Sequence, residues 1–123
     1  MLATFATGLV TGCFSEEPTG AGPDDVDCSV DIASLNLTGV VVAMHNFEFK
    51  PRDIRVQRGT RVNWVNCEPT NVEPHTTTAD GGRWQSPSMF ARAVYSQDFN
   101  EVGRFPYHCI PHASFMRGEV IVE

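Results

Sequence analysis

From Thr38 onward the chain is a succession of short apolar runs cut by turn signals, and that rhythm restricts its architecture more than any other feature. Val40-Val41-Val42-Ala43-Met44 is one such run, Phe47 and Phe49 alternate next, and Pro51 closes the segment. Ile54 and Val56 alternate with Arg55 and Gln57, and Val62 and Trp64 with Arg61 and Asn63, across an Arg58-Gly59-Thr60 turn. This reads as a hairpin with one buried face, Arg55 and Arg61 sharing the wet one. His75–Ala79 is rich in β-branched residues and reads as another strand, ended by Asp80-Gly81-Gly82. Residues 83–92 are irregular, with room for one helical turn. Val94–Phe99 and Arg104–Cys109 alternate as strands, and Gly118–Val122 supplies the last. Trp64 is expected as a core anchor, Met44 and Met89 as packing residues, and Trp84 as partly exposed. The pattern predicts an all-β sandwich or barrel.

The net charge of −6 misleads until it is located. Glu16, Glu17, Asp24, Asp25, Asp27 and Asp31 lie in a first third that has no Lys or Arg. Nine acids and nine bases follow, so the later segment is formally neutral. Residues 13–35 read as an acidic, Pro- and Gly-rich linker, because Glu16–Asp25 has almost nothing to bury. Residues 36–123 form the predicted domain, long enough for one compact core.

Before the linker, Leu2–Val10 is apolar or small, and Val10-Thr11-Gly12-Cys13 resembles a bacterial lipobox. Residues 1–12 are therefore expected to be a lipoprotein signal peptide and Cys13 the acylated residue, although a positive start is missing. The apolar run is too short to span a membrane. Four cysteines could form two disulfides in three ways. The assignment preferred here is split: Cys13 carries lipid, Cys28 pairs with Cys67, and Cys109 binds metal. Free thiols at Cys28 and Cys67 are the alternative. Export supports the bond, since oxidising compartments permit disulfides.

Cys109-Ile110-Pro111-His112-Ala113-Ser114-Phe115-Met116 and the distant His75 carry the chemistry. One thiolate, two imidazoles and one thioether are the donors of a blue-copper electron-transfer site, trigonal His₂Cys with a weak axial Met. A lone Met, His or Cys has blander uses, as core filler, surface residue or small buried hydrophobe. The ordered combination of His, then Cys-x₂-His-x₃-Met, inside an all-β pattern outweighs them.

Phe49–Gly59, Val62-Asn63-Trp64-Val65-Asn66, Pro74-His75-Thr76, Tyr107–His112 and Met116-Arg117-Gly118 together resemble the cupredoxins, most closely plastocyanin-like and halocyanin-like members. The resemblance implies a Greek-key β-sandwich with one type 1 copper ion at one end. It implies His75, Cys109 and His112 as equatorial ligands and Met116 as the axial one. Three departures stand out. The His112-to-Met116 gap is one residue shorter than in plastocyanins and one longer than in amicyanins. Thr76 stands where many relatives have an Asn that links the two ligand loops, so that brace is absent or replaced. The connection from Asn66 to His75 is longer than usual, which an extra disulfide would stabilise.

The function implied is a small electron carrier cycling Cu(I)/Cu(II) between redox proteins outside the cytoplasm. The partners expected are cytochromes or membrane redox complexes, docking briefly beside His112 near Pro111, Ala113 and Phe115. The chain is expected to be a monomer held to the membrane by its lipid, without a nucleic-acid partner. Copper handling is the alternative, though such sites are exposed and Met- or Cys-rich. An enzyme would need further His-rich copper centres, and only His45 and His108 are spare. A zinc site would leave Met116 without a role.

Overall fold

A computed structural model describes residues 26–123. Its strands are β1 (Val40–His45), β2 (Glu48–Lys50), β3 (Asp53–Val56), β4 (Thr60–Asn66), β5 (Thr78–Ala79), β6 (Val94–Phe99), β7 (Gly103–His108) and β8 (Arg117–Val122). They form two four-stranded sheets, in the orders β2-β1-β4-β6 and β3-β8-β7-β5. The alternating pattern predicts an all-β sandwich or barrel and the resemblance implies a Greek-key sandwich, and a two-sheet sandwich is the fold of the described residues.

Alternation decides which side chains meet between the sheets. Val42, Met44, Val62, Trp64 and Phe99 point inward from one sheet, and Ile54, Val56, Tyr107, Val120 and Val122 from the other. Trp64 is the largest fully buried side chain, with Trp84, Tyr107 and Phe99 packed around it at ring distances of 5.4–6.4 Å. Such aromatic pairs add to what burial of their area already contributes. Trp84 is thus a core residue rather than partly exposed, and its indole N–H donates to Thr77 Oγ1.

Two sequence expectations are corrected. The Arg58-Gly59-Thr60 turn does not close a hairpin. β3 pairs in parallel with β8, whereas β4 pairs in parallel with β1, so the turn carries the chain from one sheet to the other. Alternating apolar positions look the same whether two strands pair side by side or face each other across a core. Arg55 and Arg61 accordingly lie on different sheets, bonded to Glu123 and Asp98 respectively. Residues 83–92 hold no helical turn; they run alongside the β5 segment, with bridges His75–Met89 and Thr78–Gln85.

The linker reading also ends earlier than residue 35. Val26, Cys28, Val30, Ile32, Leu35 and Leu37 pack on the outer face of the first sheet, against Ala43, Val65 and Cys67. Asp31 caps a 3₁₀ turn at Ile32–Leu35, accepting from Ala33 N. This third layer explains why β4 is buried on both faces. A disulfide joins Cys28 to Cys67, so the pairing expected from the sequence is present. Cys13 and the expected leader lie outside the described residues.

Near the start of β8 the sandwich is tight. A Cβ at Gly118 would collide with the Arg52 carbonyl oxygen and lie 2.7 Å from the Tyr107 ring and hydroxyl. Neither backbone nor a fully buried ring yields cheaply. Gly118→Ala should cost about 1–3 kcal/mol of stability, read as a lowered urea midpoint at unchanged slope.

Candidate metal centre

Three segments deliver the site. β7 ends at His108, and Cys109, whose thiol is fully buried, follows it directly. Pro111 sits in a 3₁₀ turn at Ile110–His112 that follows at once. Met116 N donates to His112 O at 2.8 Å, and Cys109 N donates to Met116 O at 3.0 Å. The three-residue spacing between His112 and Met116 therefore closes one α-turn and returns the chain to β8. Met116 is fully buried in the same apolar cluster as Cys109.

His75 arrives from the long connection after β4. Its backbone is pinned on both sides, with His75 N donating to Met89 O at 3.1 Å and Met89 N donating to His75 O at 2.8 Å. Its ring is completely buried. One ligand atom each from His75, Cys109 and His112 lies within 4.8 Å of the others. His75 Nδ1 is 3.7 Å from Cys109 Sγ. A first-row ion about 2.0 Å from nitrogen and about 2.3 Å from sulfur would hold trigonal donors roughly 3.7 Å apart, so the pair fits a shared metal.

Electrostatics favour the same assignment of atoms. His75 Nε2 is 3.2 Å from Glu68 Oε1, a carboxylate that is itself buried. A ring N–H directed to the carboxylate leaves Nδ1 with its lone pair on the sulfur side, the usual way an outer group selects a ligand tautomer. Burial lowers the His75 pKa, and the Glu68 hydrogen bond opposes that shift without reversing it. The Cys109 thiol is pushed up by burial, against hydrogen bonds from Thr76 and His112 that favour the thiolate. Thr76 N donates to Cys109 Sγ at 3.4 Å. A metal binding here must displace the thiol proton.

The expected Asn brace is replaced by Thr76. Its Oγ1 accepts from Ile110 N at 2.9 Å and shares a hydrogen bond with Thr78 Oγ1 at 3.0 Å. One residue thus connects the His75 loop to the Cys109 loop through backbone and side chain together.

Two residues of the site escaped sequence reasoning. Phe47 sits in the β1–β2 turn with φ 59°, a conformation uncommon for a bulky side chain. Its ring meets His75 at 5.3 Å and His112 at 4.9 Å, both edge-on. Its N–H donates to Glu68 Oε1 at 2.9 Å. Alternation with Phe49 had marked Phe47 only as a strand residue. Glu68 carried no signal except its place beside Cys67 in an unusually long loop.

At the rim, Phe115 and Ile110 are exposed beside His112, and the Phe115 ring lies 5.4 Å from the imidazole. Glu73 approaches His112 Nε2 at 3.8 Å. Of the spare histidines, His108 leaves the centre and pairs with Asp80, which also holds Arg117.

Residues 37–123 match the family model described as copper binding proteins of the plastocyanin/azurin family. Amicyanin of Paracoccus denitrificans is 35% identical over 68% of this chain, and the match takes in 65% of that relative. Amicyanin of Paracoccus versutus is 30% identical over 99% of this chain and 90% of its own length. The solved Cu(I) form of a methionine-to-alanine variant of amicyanin superposes with a TM-score of 0.64 at 29% identity, covering 73% of this chain and 89% of that one. The chain belongs to the plastocyanin/azurin family of copper-binding proteins, the cupredoxins. Copper is the metal that this membership and the soft donor set assign to it.

The buried His75 gives the metal-free protein a pH dependence. Burial holds its folded pKa below the ordinary imidazole value of 6.5, so the unfolded chain takes up a proton first as pH falls. Its contribution to stability is complete above pH ~6.5 and is lost as pH drops toward the folded value. The urea midpoint of metal-free protein should therefore fall between pH 7.5 and 5.5, and His75→Gln should flatten that decline.

Proposed function

We propose that this chain is a small extracytoplasmic electron carrier whose copper is held by His75, Cys109, His112 and Met116. The observation that carries the ligand assignment is the convergence of two imidazoles and one thiol within 4.8 Å from two segments distant in sequence. Copper, when bound, supplies the one-electron Cu(I)/Cu(II) couple.

The chain's own residues supply a stiff frame. Cys109 is fixed by the backbone bond to Met116 and by the Thr76 amide at its sulfur, and His75 by Met89 and Glu68. A frame that neither widens nor closes suits both oxidation states of a mixed nitrogen–sulfur set. Met116, one α-turn beyond His112, would be the fourth, weak donor to that copper, supported by its full burial in the same cluster as Cys109. Hydrogen bonding to the Cys sulfur tunes the potential of such sites, which is the role assigned to the Thr76 amide.

His112, the partly exposed edge of the site, would be the side from which the copper exchanges electrons. Phe115 and Ile110 form a small apolar surface around it, suited to brief docking of a redox protein such as a cytochrome or membrane redox complex. The Cys28–Cys67 bond supports a location outside the cytoplasm. Among the described residues no helix is long and apolar enough to cross a membrane. The lipobox-like Val10-Thr11-Gly12-Cys13 supports anchoring by a lipid on Cys13, which intact-mass analysis of the membrane-extracted protein would reveal.

Copper-loaded protein should be intensely blue with a narrow copper hyperfine splitting in its EPR spectrum, and should give reversible one-electron voltammetry without losing the ion. Cys109→Ala should abolish the colour; an unchanged spectrum would overturn the ligand assignment. Met116→Leu should retain copper and raise the potential, because loss of a weak donor to Cu(II) favours Cu(I).

A further inference from the structure

The N-terminal layer reaches the metal centre through an unbroken series of bonds. Cys28 is joined covalently to Cys67. Next to that bond, Ser29 N donates to Cys67 O at 3.1 Å and Ser29 Oγ donates to Glu68 O at 2.8 Å. Three contacts from one short segment therefore fix the backbone at 67–68. From the other side, Glu68 N donates to Asn66 Oδ1 at 2.9 Å, while Asn66 Nδ2 donates to Met89 O at 2.8 Å. With its backbone clamped on both sides, Glu68 projects its carboxylate inward. A single oxygen, Oε1, faces both His75 Nε2 and the Phe47 N–H.

That position costs energy unless it is held. A carboxylate only 2% exposed gives up its hydration. Phe47 keeps a positive φ that a bulky side chain adopts only when its surroundings impose it. Its ring edge then packs on both histidines. Releasing the 67–68 backbone would free the carboxylate to seek water, leave the Phe47 amide without its acceptor and leave the His75 ring free to turn.

We propose that Glu68 is a positioning residue for the copper centre and that the Cys28–Cys67 disulfide, with Ser29, is the clasp that keeps it in place. The clasp fixes the orientation and tautomer of His75 and, through Phe47, the packing on His112. The proposal rests on the copper reading above for its consequence but not for its geometry, so it is tested in metal-free as well as copper-loaded protein.

The variants are Glu68→Ala, Glu68→Gln, Ser29→Ala and the double Cys28→Ser/Cys67→Ser, each made in the full chain. In metal-free protein, hydrogen exchange of the Phe47 amide should quicken at least about tenfold in Glu68→Ala and in the double Ser variant. The Trp64 amide should stay protected, which separates local release from global unfolding. In copper-loaded protein, Glu68→Ala should lower copper affinity against a competing chelator by about 10–100-fold and broaden the EPR hyperfine pattern. Glu68→Gln, which keeps an oxygen acceptor, should restore most of both. The double Ser variant should shift affinity in the same direction as Glu68→Ala, and Ser29→Ala less so with the disulfide intact. Parent-like Phe47 exchange together with parent-like copper affinity in the double Ser variant would overturn the clasp. Parent-like behaviour of Glu68→Ala would overturn the positioning role. If the parent protein takes up no copper, the copper reading fails, and Phe47 exchange still decides the clasp.

Discussion

Thr76 is the joint on which the metal centre depends. The site draws its candidate donors from two loops distant in sequence, and nothing within either loop sets their separation. Thr76 sets it twice, with its amide on the Cys109 sulfur and its hydroxyl on the Ile110 amide. The Oγ1 that accepts from Ile110 is itself oriented by Thr78. Because Thr76 follows His75 directly, any shift of one loop is imposed on the other. A short polar side chain thereby does the work of the longer amide expected at this place, which requires the backbones to approach more closely.

Around that joint the described residues form three layers. Two sheets enclose the aromatic cluster of Trp64, Trp84, Phe99 and Tyr107, and the N-terminal segment covers the outer face of one sheet. The sheets supply rigidity and the loops at one end supply chemistry. The added layer is tied by a disulfide to the loop that carries Glu68, the residue in contact with the His75 imidazole.

Much of this was legible in the sequence because it is written in local patterns. Period-two alternation located most of the strands, and the Cys-x₂-His-x₃-Met loop located three of the four candidate ligands. Sheet membership was not legible, since Ile54, Val56, Val62 and Trp64 face one core whether their strands pair or oppose. Trp84 and the Val26–Leu35 part of the outer layer were misjudged because their burial depends on distant partners. Acidic residues at Asp27 and Asp31 masked an apolar set, Val26, Val30, Ile32 and Leu35, that covers a sheet face. Phe47 and Glu68 were missed for a related reason: a turn dihedral and a buried carboxylate only acquire meaning when His75 is beside them.

The placement of β8 has a consequence for how the molecule comes into being. This strand is central in its sheet, bonded in parallel to β3 and antiparallel to β7. Residues 53–56 and 103–108 thus have no direct partner in one another and must wait for residues 117–122 to be threaded between them. The β7–β8 pairing is local, but the β3–β8 pairing is remote along the chain and slow to form. During synthesis, half of the sandwich stays open until nearly the whole domain has emerged, and the loop from Cys109 to Met116, ending just before that wedge, acquires its shape in the same closing event.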